Sequence, residues 1–446
     1  MKVKKINLKN IGVFEDETIE FPTSKIANTA DIHIFTGING SGKSTILYAI
    51  ASIFDFFEKD HKSHISNFFY KRFRYFEKES GTNSKNKTYK SEVTAQFRDK
   101  SSEVCVYGCP ICKSIHSTTE NSKINTYRTC IISKASEKFE FEFATFAYSG
   151  YRFIKSTNVE TLKTFTENPL EQSLEFVKKY SENTSFSFNQ WILNNFSNEA
   201  ILYKMGQIKE SEKFASSLSH FKRFLAEVIE KEIDFIISVN PIRLYLEIDE
   251  QELDFDVLPD GLRSLISWIG DLMMVMDNLN WKDNVPIFER SFILLLDEIE
   301  VHLHPSWQRK ILPVLQKLFT NAQIFVSTHS PYIVNSVDGA FLYELDYNNG
   351  NTIIKPTRET KTSDSISYTL KKVFGMKSEF GEALHVKLDK FYSLRDNILK
   401  RTITDTSEFV KLKKELLAID DLEVSNLVEF ECKQLFKITQ KQEFLL

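Results

Sequence analysis

The sequence has few residues that interrupt regular structure, with 14 glycines and 10 prolines among 446 residues. Its five cysteines are an odd number in a long chain. No apolar run approaches the roughly 18–20 residues that a membrane-spanning helix needs, and the first residues lack the continuous apolar core of a signal peptide. These absences predict a cytoplasmic protein with reduced thiols and no membrane segment, built mostly from helices and strands.

An excess of charge of one sign is also absent. The 57 Lys and Arg residues face 61 Asp and Glu residues, which gives a formal net charge of −4. This balance excludes a broadly cationic nucleic-acid binder, so any nucleic-acid contact needs a local patch or a partner. Apolar residues make up 42% of the chain and charged residues 26%, which is ordinary for a globular protein with a sizeable core.

The scarce glycines cluster at one place. The string Gly37-Ile-Asn-Gly-Ser-Gly-Lys43-Ser44 matches the pattern GxxxxGK[ST], with the strand-like DIHIF before it and the helix-like STILYAIASIFDFF after it. A chance glycine turn is the alternative, but the flanking strand and helix are the context that a phosphate-binding loop requires. Glycines let backbone N–H groups wrap a phosphate, and the helix N-terminus adds its dipole. The residues predicted to bind nucleotide are Gly37, Asn39, Gly40, Ser41, Gly42, Lys43, Ser44 and Thr45.

Four residues are predicted to contact the phosphates, the metal ion or the attacking water. Lys43 is expected to reach the β- and γ-phosphates of ATP, and the Ser44 hydroxyl to ligate Mg²⁺. The segment Phe292-Ile-Leu-Leu-Leu-Asp297-Glu298 is an almost wholly apolar strand that carries two acids to its end. Asp297 is predicted to hold Mg²⁺, and Glu298 to orient or deprotonate the attacking water. Taken alone, this segment would be interpreted as an ordinary strand that ends in acids.

A third apolar segment, AQIFVSTHS, ends close to His329. An imidazole beside the γ-phosphate can sense or polarise it near neutral pH, so His329 is predicted to be catalytic together with Glu298. A lone histidine is more often structural. Here the order of the three motifs favours the catalytic interpretation.

In this order the motifs resemble the ABC-type ATPase heads of the SMC, RecF and OLD group. The residues that carry the resemblance are Gly37–Ser44, Leu258-Pro-Asp-Gly261-Leu-Arg263-Ser264, Leu296-Asp297-Glu298-Ile-Glu300-Val-His302-Leu-His304-Pro305 and Thr328-His329-Ser330-Pro331. The DEIExHLHPxWQ and STHSP strings are most similar to the prokaryotic AAA15/OLD-like branch. Within that branch, the chain length, GLRSLISWI and the lack of a fused nuclease resemble the PtuA ATPases of Septu-type and retron-associated anti-phage systems. The resemblance covers Met1–Ser52 and about Leu258–Asp346.

The resemblance implies a fold and an assembly. The fold is an α/β P-loop NTPase of ABC/SMC-head type, with a mixed sheet core, an antiparallel β lobe and a helical insertion. The assembly is a head-to-tail homodimer, or a higher homo-oligomer, in which Asp260 and Gly261 of one chain's signature helix complete the partner's ATP site. In the resembling family a serine hydroxyl meets the γ-phosphate where Pro259 stands, and a glycine occupies the position of Asp260. These departures are expected to slow ATP hydrolysis more than they weaken ATP binding. Gln96 and the turn at 148–152 are both candidates for the Q-loop.

The patterns along the chain predict four regions. An N-terminal ATPase lobe covers 1–155, with a polar insertion at 59–90 and a Cys-rich hairpin at 105–130, and a helical insertion covers 156–240. A C-terminal ATPase lobe with the signature, Walker B, D-loop and H-loop covers 241–356, and a helical tail covers 357–446. The segments KINTYRTCIIS and KFEFEFATFAYSGYR alternate like antiparallel strands, whereas SHFKRFLAEVIEKEIDFII has helical spacing.

The cysteines allow a metal site. Cys109-Pro-Ile-Cys112, with Cys105, His116 and Cys130 nearby, has ligands that suit tetrahedral Zn²⁺. A second CxxC is missing, so buried or free thiols are the alternative, and a site that bridges two chains is a third.

Two other clusters have alternative interpretations. Lys71-Arg-Phe-Arg-Tyr75 offers cations and rings to nucleic acid, although a helix face that solvates its cations and buries its Phe is the favoured explanation. His302 and His304 resemble a metal pair, but the D-loop resemblance accounts for them.

The resemblance implies an ATP-binding and hydrolysing switch that controls a separate nuclease, of HNH type, in anti-phage defence. The chain itself is not expected to be a nuclease, because no Toprim pattern follows His329 and Asp420-Asp421 is predicted to lie in a helical stretch. Nucleic acid would then be contacted through the partner. The alternative is a RecF- or SMC-like DNA-repair ATPase that binds DNA directly, which the charge balance disfavours. A transporter subunit is a third class, disfavoured by the HLHP string.

Overall fold

The computed structural model describes residues 1–55, 65, 68–69, 71–72, 91–99, 103–109, 114–133, 139–150, 168–170, 173–174, 176, 182–239, 242–376 and 380–444. The chain forms two compact units, Met1–Thr369 and Leu370–Leu446. Among the described residues, no helix combines the length and the apolar character needed to cross a bilayer.

In chain order the described strands are β1 Val3–Ile11, β2 Phe14–Glu20, β3 Asp31–Gly37, β4 Glu92–Phe97, β5 Val104–Cys109, β6 Ser114–Thr119, β7 Ala144–Tyr148, β8 Ile233–Val239, β9 Ile242–Ile248, β10 Gln251–Leu253, β11 Phe292–Leu296, β12 Gln323–Ser327, β13 Phe341–Asn348, β14 Asn351–Ile354 and β15 Arg358–Glu359. The described helices are α1 Lys43–Ser52, α2 Ser122–Ile132, α3 Glu182–Lys204, α4 Ile208–Ile229, α5 Asp260–Asn278, α6 Pro305–Leu318, α7 Pro331–Val334, α8 Ile366–Lys372, α9 Glu382–Leu399, α10 Ser407–Leu417 and α11 Leu422–Thr439.

The central sheet has the order β14-β13-β3-β12-β11-β7. The pairs from β13 to β7 are all parallel, while β14 and β15 pair antiparallel with β13. Strands β7, β11 and β12 are buried along their whole length, as expected for parallel strands that are covered on both faces. Since β12 lies between β3 and β11, the ends of all three motif-bearing strands meet at one edge of the sheet.

An antiparallel sheet with the order β2-β1-β4-β5-β6 forms a second layer in the same unit. Strand β1 has a nearly alternating pattern, with Val3, Ile6, Leu8 and Ile11 buried, which is typical of a sheet that packs one face on a core. The predicted α/β fold, with a mixed sheet core, an antiparallel lobe and a helical insertion, is confirmed.

The insertion includes the helical hairpin α3–α4, which packs on α5 so closely that a Cβ on Gly270 would lie 2.3 Å from the Phe188 ring.

Three predicted elements are wrong. Residues Ser122–Ile132 form α2 rather than a strand, because the Asn121 side chain caps the helix by accepting from two backbone N–H groups. The helical pattern through IEKEIDFII stops at Ile229, where Glu230 adopts a left-handed φ of 58°, and β8 follows. The third is KFEFEFATFAYSGYR, in which only Ala144–Tyr148 forms a strand among the described residues, and that strand joins the parallel core beside β11.

The unit Leu370–Leu446 has a hydrophobic core of its own, built on α9, α10 and α11. The large side chains in it include Phe391, Phe409 and Phe444, all fully buried. The unit begins later than the predicted tail at 357, because β15 pairs with β13 and therefore belongs to the central sheet. Asp421 is the N-cap of α11 and accepts from Val424 N at 2.9 Å, so Asp420-Asp421 precedes the helix rather than lying within it.

His33 on β3 is fully buried in the central sheet. Its Nδ1 lies 3.1 Å from the Tyr343 hydroxyl, and its ring stacks on Phe325 at 4.9 Å between centroids. Burial lowers the pKa of His33 to about 3, and the charge of Asp31 opposes this only in part. The folded protein therefore holds this imidazole in its neutral form.

We expect the stability of the unit Met1–Thr369 to fall in acid because of His33. The pKa of an unfolded histidine is about 6.5, so the unfolded chain binds the proton first, and the free energy of unfolding decreases from about pH 6.5 down to the folded-state pKa. At pH 5 the His33 contribution is a loss of about 2 kcal/mol. Urea unfolding followed by tryptophan fluorescence measures it, because all four tryptophans lie in this unit. His33→Gln should flatten the pH dependence, while His385→Gln, in the other unit, should not. The same pH dependence in both variants would contradict this assignment.

Candidate nucleotide-binding site

The predicted phosphate-binding loop connects the end of β3 to the start of α1. Gly40 and Gly42 have positive φ angles of 82° and 99°. A Cβ on Gly42 would lie 2.7 Å from the Phe14 ring, so only glycine fits there. No described atom lies within 4 Å of a Cβ placed on Gly40, which leaves the loop backbone open on that side. Gly42 is also the N-cap of α1 and supplies no capping side chain, so N–H groups of the first turn are available to an anion.

The other loop residues divide between the surface and the interior. Asn39 is exposed at the apex, where Ile38 has an exposed fraction of 58%. Ser41 and Thr45 are buried, and the Ser41 hydroxyl has no hydrogen-bond partner among the described residues. The apex is therefore the part of the loop that a bound nucleotide or a second chain can contact.

Lys43 lies over this loop. Its Nζ donates to the carbonyls of Gly37 and Ile38, at 3.0 and 3.1 Å. Burial lowers the pKa of Lys43, while the acidic residues that follow β11 act in the opposite direction. The ammonium group is thus placed where it can bind phosphate oxygens of a nucleotide held in the loop.

Ser44 and Asp297 are brought together from positions 253 residues apart. The Ser44 hydroxyl, in the first turn of α1, donates to Asp297 Oδ1 at 3.0 Å just after the end of β11. A hydroxyl and a carboxylate are oxygen ligands of the kind that Mg²⁺ takes. The pair therefore fits the predicted Mg²⁺ site, with Ser44 and Asp297 as the residues that could hold the ion.

Glu298 follows Asp297 in an uncommon backbone conformation, with φ of 50°. Its backbone N–H donates to the Ser327 hydroxyl at 2.9 Å, and the same hydroxyl donates to Asp297 Oδ1. The motifs assigned no role to Ser327. Its position at the end of an apolar strand, two residues before His329, was the sequence feature that could have identified it as a residue of the site.

His329 lies beyond the end of β12, next to the two acids. Its backbone N–H donates to Glu300 Oε1 at 2.5 Å. Burial lowers the pKa of His329, the charge of Lys43 lowers it further, and Asp297 opposes both. Burial likewise raises the pKa of Glu300. The sequence interpretation gave Glu300 no role, whereas the structure makes it the residue that fixes the backbone of His329.

The signature residues start α5. Pro259 is the N-cap, and the Asp260 carboxylate pairs with Arg263 at 2.5 Å. A Cβ on Gly261 would lie 2.4 Å from the His302 carbonyl of the same chain. This close approach gives Gly261 a packing role within the chain, and the role of Asp260 and Gly261 across a dimer stays a prediction.

The two Q-loop candidates are separated by the fold. Gln96 lies on β4 of the antiparallel sheet, paired with Lys5. The turn after Tyr148 instead lies at the site, because a Cβ on Gly150 would be 3.2 Å from the Glu298 carbonyl. The Tyr148 hydroxyl donates to Asp271 on α5 at 2.7 Å, which links this turn to the signature helix. Of that turn, 151–152 lie outside the described residues.

Other predicted features fall on or near residues that are not described. Cys112 lies outside the described residues, and Cys109 is the last residue of β5, so the Zn²⁺ site stays a prediction. Within the described ranges, no group of three or more His, Cys, Asp or Glu side chains could hold a metal ion. Of the basic cluster 71–75, only Lys71 and Arg72 are described. His304 caps α6 by accepting from Ser306 N.

Curated relatives of this chain include proteins named as retron ATPases and as Septu proteins. "Retron Vc95 probable ATPase" of Vibrio cholerae serotype O1 biovar El Tor is 23% identical over 77% of this chain and 74% of its own length. "Retron Ec83 probable ATPase" of Escherichia coli is 30% identical over 40% of this chain, and the match spans only 32% of that relative. "Septu protein PtuA" of Bacillus thuringiensis is 25% identical over 42% of this chain and 46% of its own length. The resemblance to retron ATPases and to Septu PtuA proteins is therefore confirmed.

Among solved structures, the SMC head bound to the C-winged helix domain of ScpA aligns with a TM-score of 0.46 and 14% identity, over 80% of this chain and 98% of that chain. The SMC head domain from Thermotoga maritima aligns with a TM-score of 0.42 and 15% identity, over 80% of this chain and 100% of that chain.

Two family models match the sequence. One, described as "AAA domain, putative AbiEii toxin, Type IV TA system", matches 188–335, which includes the signature and the acids after β11. The other, described as "AAA domain", matches 5–255, which includes the phosphate-binding loop and more than half of the chain. With the phosphate-binding loop, the Ser44–Asp297 pair and the parallel sheet that joins them, this protein is a P-loop NTPase that belongs to the AAA-domain family.

Proposed function

We propose that this protein binds and hydrolyses ATP as a dimeric switch that controls a separate nuclease, of HNH type, in anti-phage defence. The observation that carries the proposal is the convergence of Ser44, Asp297, Glu298 and His329 at one edge of the central sheet. This constellation places a phosphate-binding loop, a pair of oxygen ligands and a candidate base side by side, which is the set that ATP hydrolysis needs.

The residues have separate roles in the proposed hydrolysis. Lys43 and the N–H groups at the start of α1 bind the β- and γ-phosphates. Ser44 and Asp297 hold Mg²⁺, which when bound neutralises the charge that develops on the phosphates. Glu298 orients the attacking water and accepts its proton. His329, whose pKa is lowered by burial, donates a hydrogen bond to the γ-phosphate.

A second copy of the chain is part of the proposal. The backbone at Gly40 is open, the apex residue Ile38 is 58% exposed, and Asp260 at the signature is exposed as well. A second chain can therefore reach both the loop apex and the start of α5. ATP would join the loop of one chain to the α5 N-terminus of the other, and hydrolysis would release them.

The link to defence is supported by the relatives named as retron and Septu proteins. The partner nuclease is supported by the motif resemblance and by the tail, in which Asp421 serves as a helix cap rather than as part of an acidic strand site. Any nucleic acid would then be bound by the nuclease partner.

Co-expression with the product of the neighbouring gene, which the proposal predicts to be an HNH protein, tests the proposal. We expect the two chains to co-purify, the complex to release phosphate from ATP in the presence of Mg²⁺, and its nuclease activity to change with the nucleotide present. The alternative, a DNA-repair ATPase, predicts that the chain alone binds duplex DNA with an affinity that falls as salt rises. DNA binding by the isolated chain without a nuclease partner would overturn the proposal.

A further inference from the structure

Ser327 is the last residue of β12 and is fully buried. Its hydroxyl makes two hydrogen bonds in the site, because it donates to Asp297 Oδ1 and accepts from the backbone N–H of Glu298 at 2.9 Å. One oxygen atom thus touches both the carboxylate that could hold Mg²⁺ and the residue that could activate water.

Both partners need this hydroxyl for a physical reason. Glu298 has a left-handed φ of 50°, an uncommon conformation for a residue with a side chain. The Glu298 N–H is partly buried, and such a group without an acceptor is costly, so the Ser327 oxygen helps to fix that conformation. Asp297 Oδ1 accepts from Ser44 at 3.0 Å as well as from Ser327. The bond from Ser327 can therefore persist when Ser44 turns to another ligand.

We propose that Ser327 is a positioning residue that couples the Mg²⁺ ligand Asp297 to the catalytic Glu298. Its hydroxyl sets the orientation of the Asp297 carboxylate and the backbone of Glu298 at once, so the metal site and the water site form as a unit. The inference rests on the proposed binding of ATP with Mg²⁺.

Two substitutions of equal shape test this role. Ser327→Thr keeps the hydroxyl and Ser327→Val replaces it by a methyl group. Calorimetry with a non-hydrolysable ATP analogue, in Mg²⁺ and in EDTA, gives the gain in affinity that Mg²⁺ provides. We expect the Thr variant to retain this gain in affinity. In the Val variant the gain should be about tenfold smaller, because a hydrogen bond to a charged group is removed, while the affinity in EDTA should change little. In steady-state kinetics, kcat should fall in the Val variant, and hydrogen exchange at the Glu298 amide should become faster.

The outcomes separate the inference from the proposed function. Equal Mg²⁺ gains in the Thr and Val variants, with normal binding by the wild type, overturn the role of Ser327 alone. Failure of the wild type to bind the analogue overturns the proposed function, and this inference with it. If the Val variant does not fold, Ser327→Ala removes the hydroxyl without adding bulk, and the same comparison with Ser327→Thr decides.

Discussion

Replacing Lys43 by alanine should greatly weaken ATP binding. The ammonium group is the buried cation above the loop, and its two hydrogen bonds to the carbonyls of Gly37 and Ile38 hold it at the phosphate position. Removing one member of a buried charge pair costs about 2–5 kcal/mol, which corresponds to a weakening of the ATP affinity by about thirtyfold or more. Calorimetric titration with ATP and Mg²⁺ measures the change.

The Lys43 result needs two comparisons. Lys43→Met keeps most of the aliphatic stem, so it distinguishes loss of charge from loss of packing, and it should bind ATP as poorly as the alanine variant. Lys209→Ala removes an exposed lysine that has no ion pair with a described residue, and it should bind like the wild type. Unchanged ATP affinity in Lys43→Ala would show that the loop does not bind the phosphates through this residue.

The sequence predicted the parts of the site whose chemistry is local. A glycine-rich turn between a strand and a helix needs only neighbouring residues, and the φ of 99° at Gly42 shows why the pattern requires glycine there. The apolar strands β11 and β12 were predicted for the same reason, because burial on both faces leaves a continuous apolar run in the sequence.

The contacts between distant segments could not be predicted in this way. Strand β12 lies between β3 and β11 in the sheet, and no local sequence pattern encodes this strand order. This order places the Ser327 hydroxyl against Asp297 and Glu298, so a serine without a motif becomes part of the site. In the same way, Glu300 reaches the backbone of His329 only through the pairing of the two strands.

The predictions from local patterns were also wrong for two segments of the chain. Residues 122–132 were predicted to form a strand, but Ile124, Tyr127 and Ile131 recur at helical spacing and are buried, and Asn121 caps the first turn. The alternating pattern lies in 138–143, whereas the strand Ala144–Tyr148 is almost wholly apolar and is buried on both faces, since it lies beside β11 in the core. A local cap thus decided the first segment, and tertiary packing decided the second.

Replacing Glu298 by glutamine should leave ATP binding intact and lower turnover by about 10²- to 10⁴-fold. The amide has the shape of the carboxylate, and the backbone N–H that donates to Ser327 is retained, so the site should keep its geometry. Only the ability to accept a proton from water is lost. Phosphate release measures the turnover, and Glu289→Gln, at an exposed position before β11, is the matched control that should hydrolyse ATP normally.

The same variant tests the proposed dimer, because a chain that binds ATP but cannot cleave it should accumulate in the nucleotide-bound assembly. Light scattering of Glu298→Gln in saturating ATP and Mg²⁺ should give at least twice the 51.9 kDa of one chain, and removing Mg²⁺ with EDTA should return the single-chain mass. Ser44 and Asp297 would lose their ion in EDTA while Lys43 keeps its place on the loop, so the switch in mass reports on the phosphate site itself. A variant that binds ATP by calorimetry yet keeps the mass of one chain would contradict the dimeric switch and leave the hydrolytic site standing.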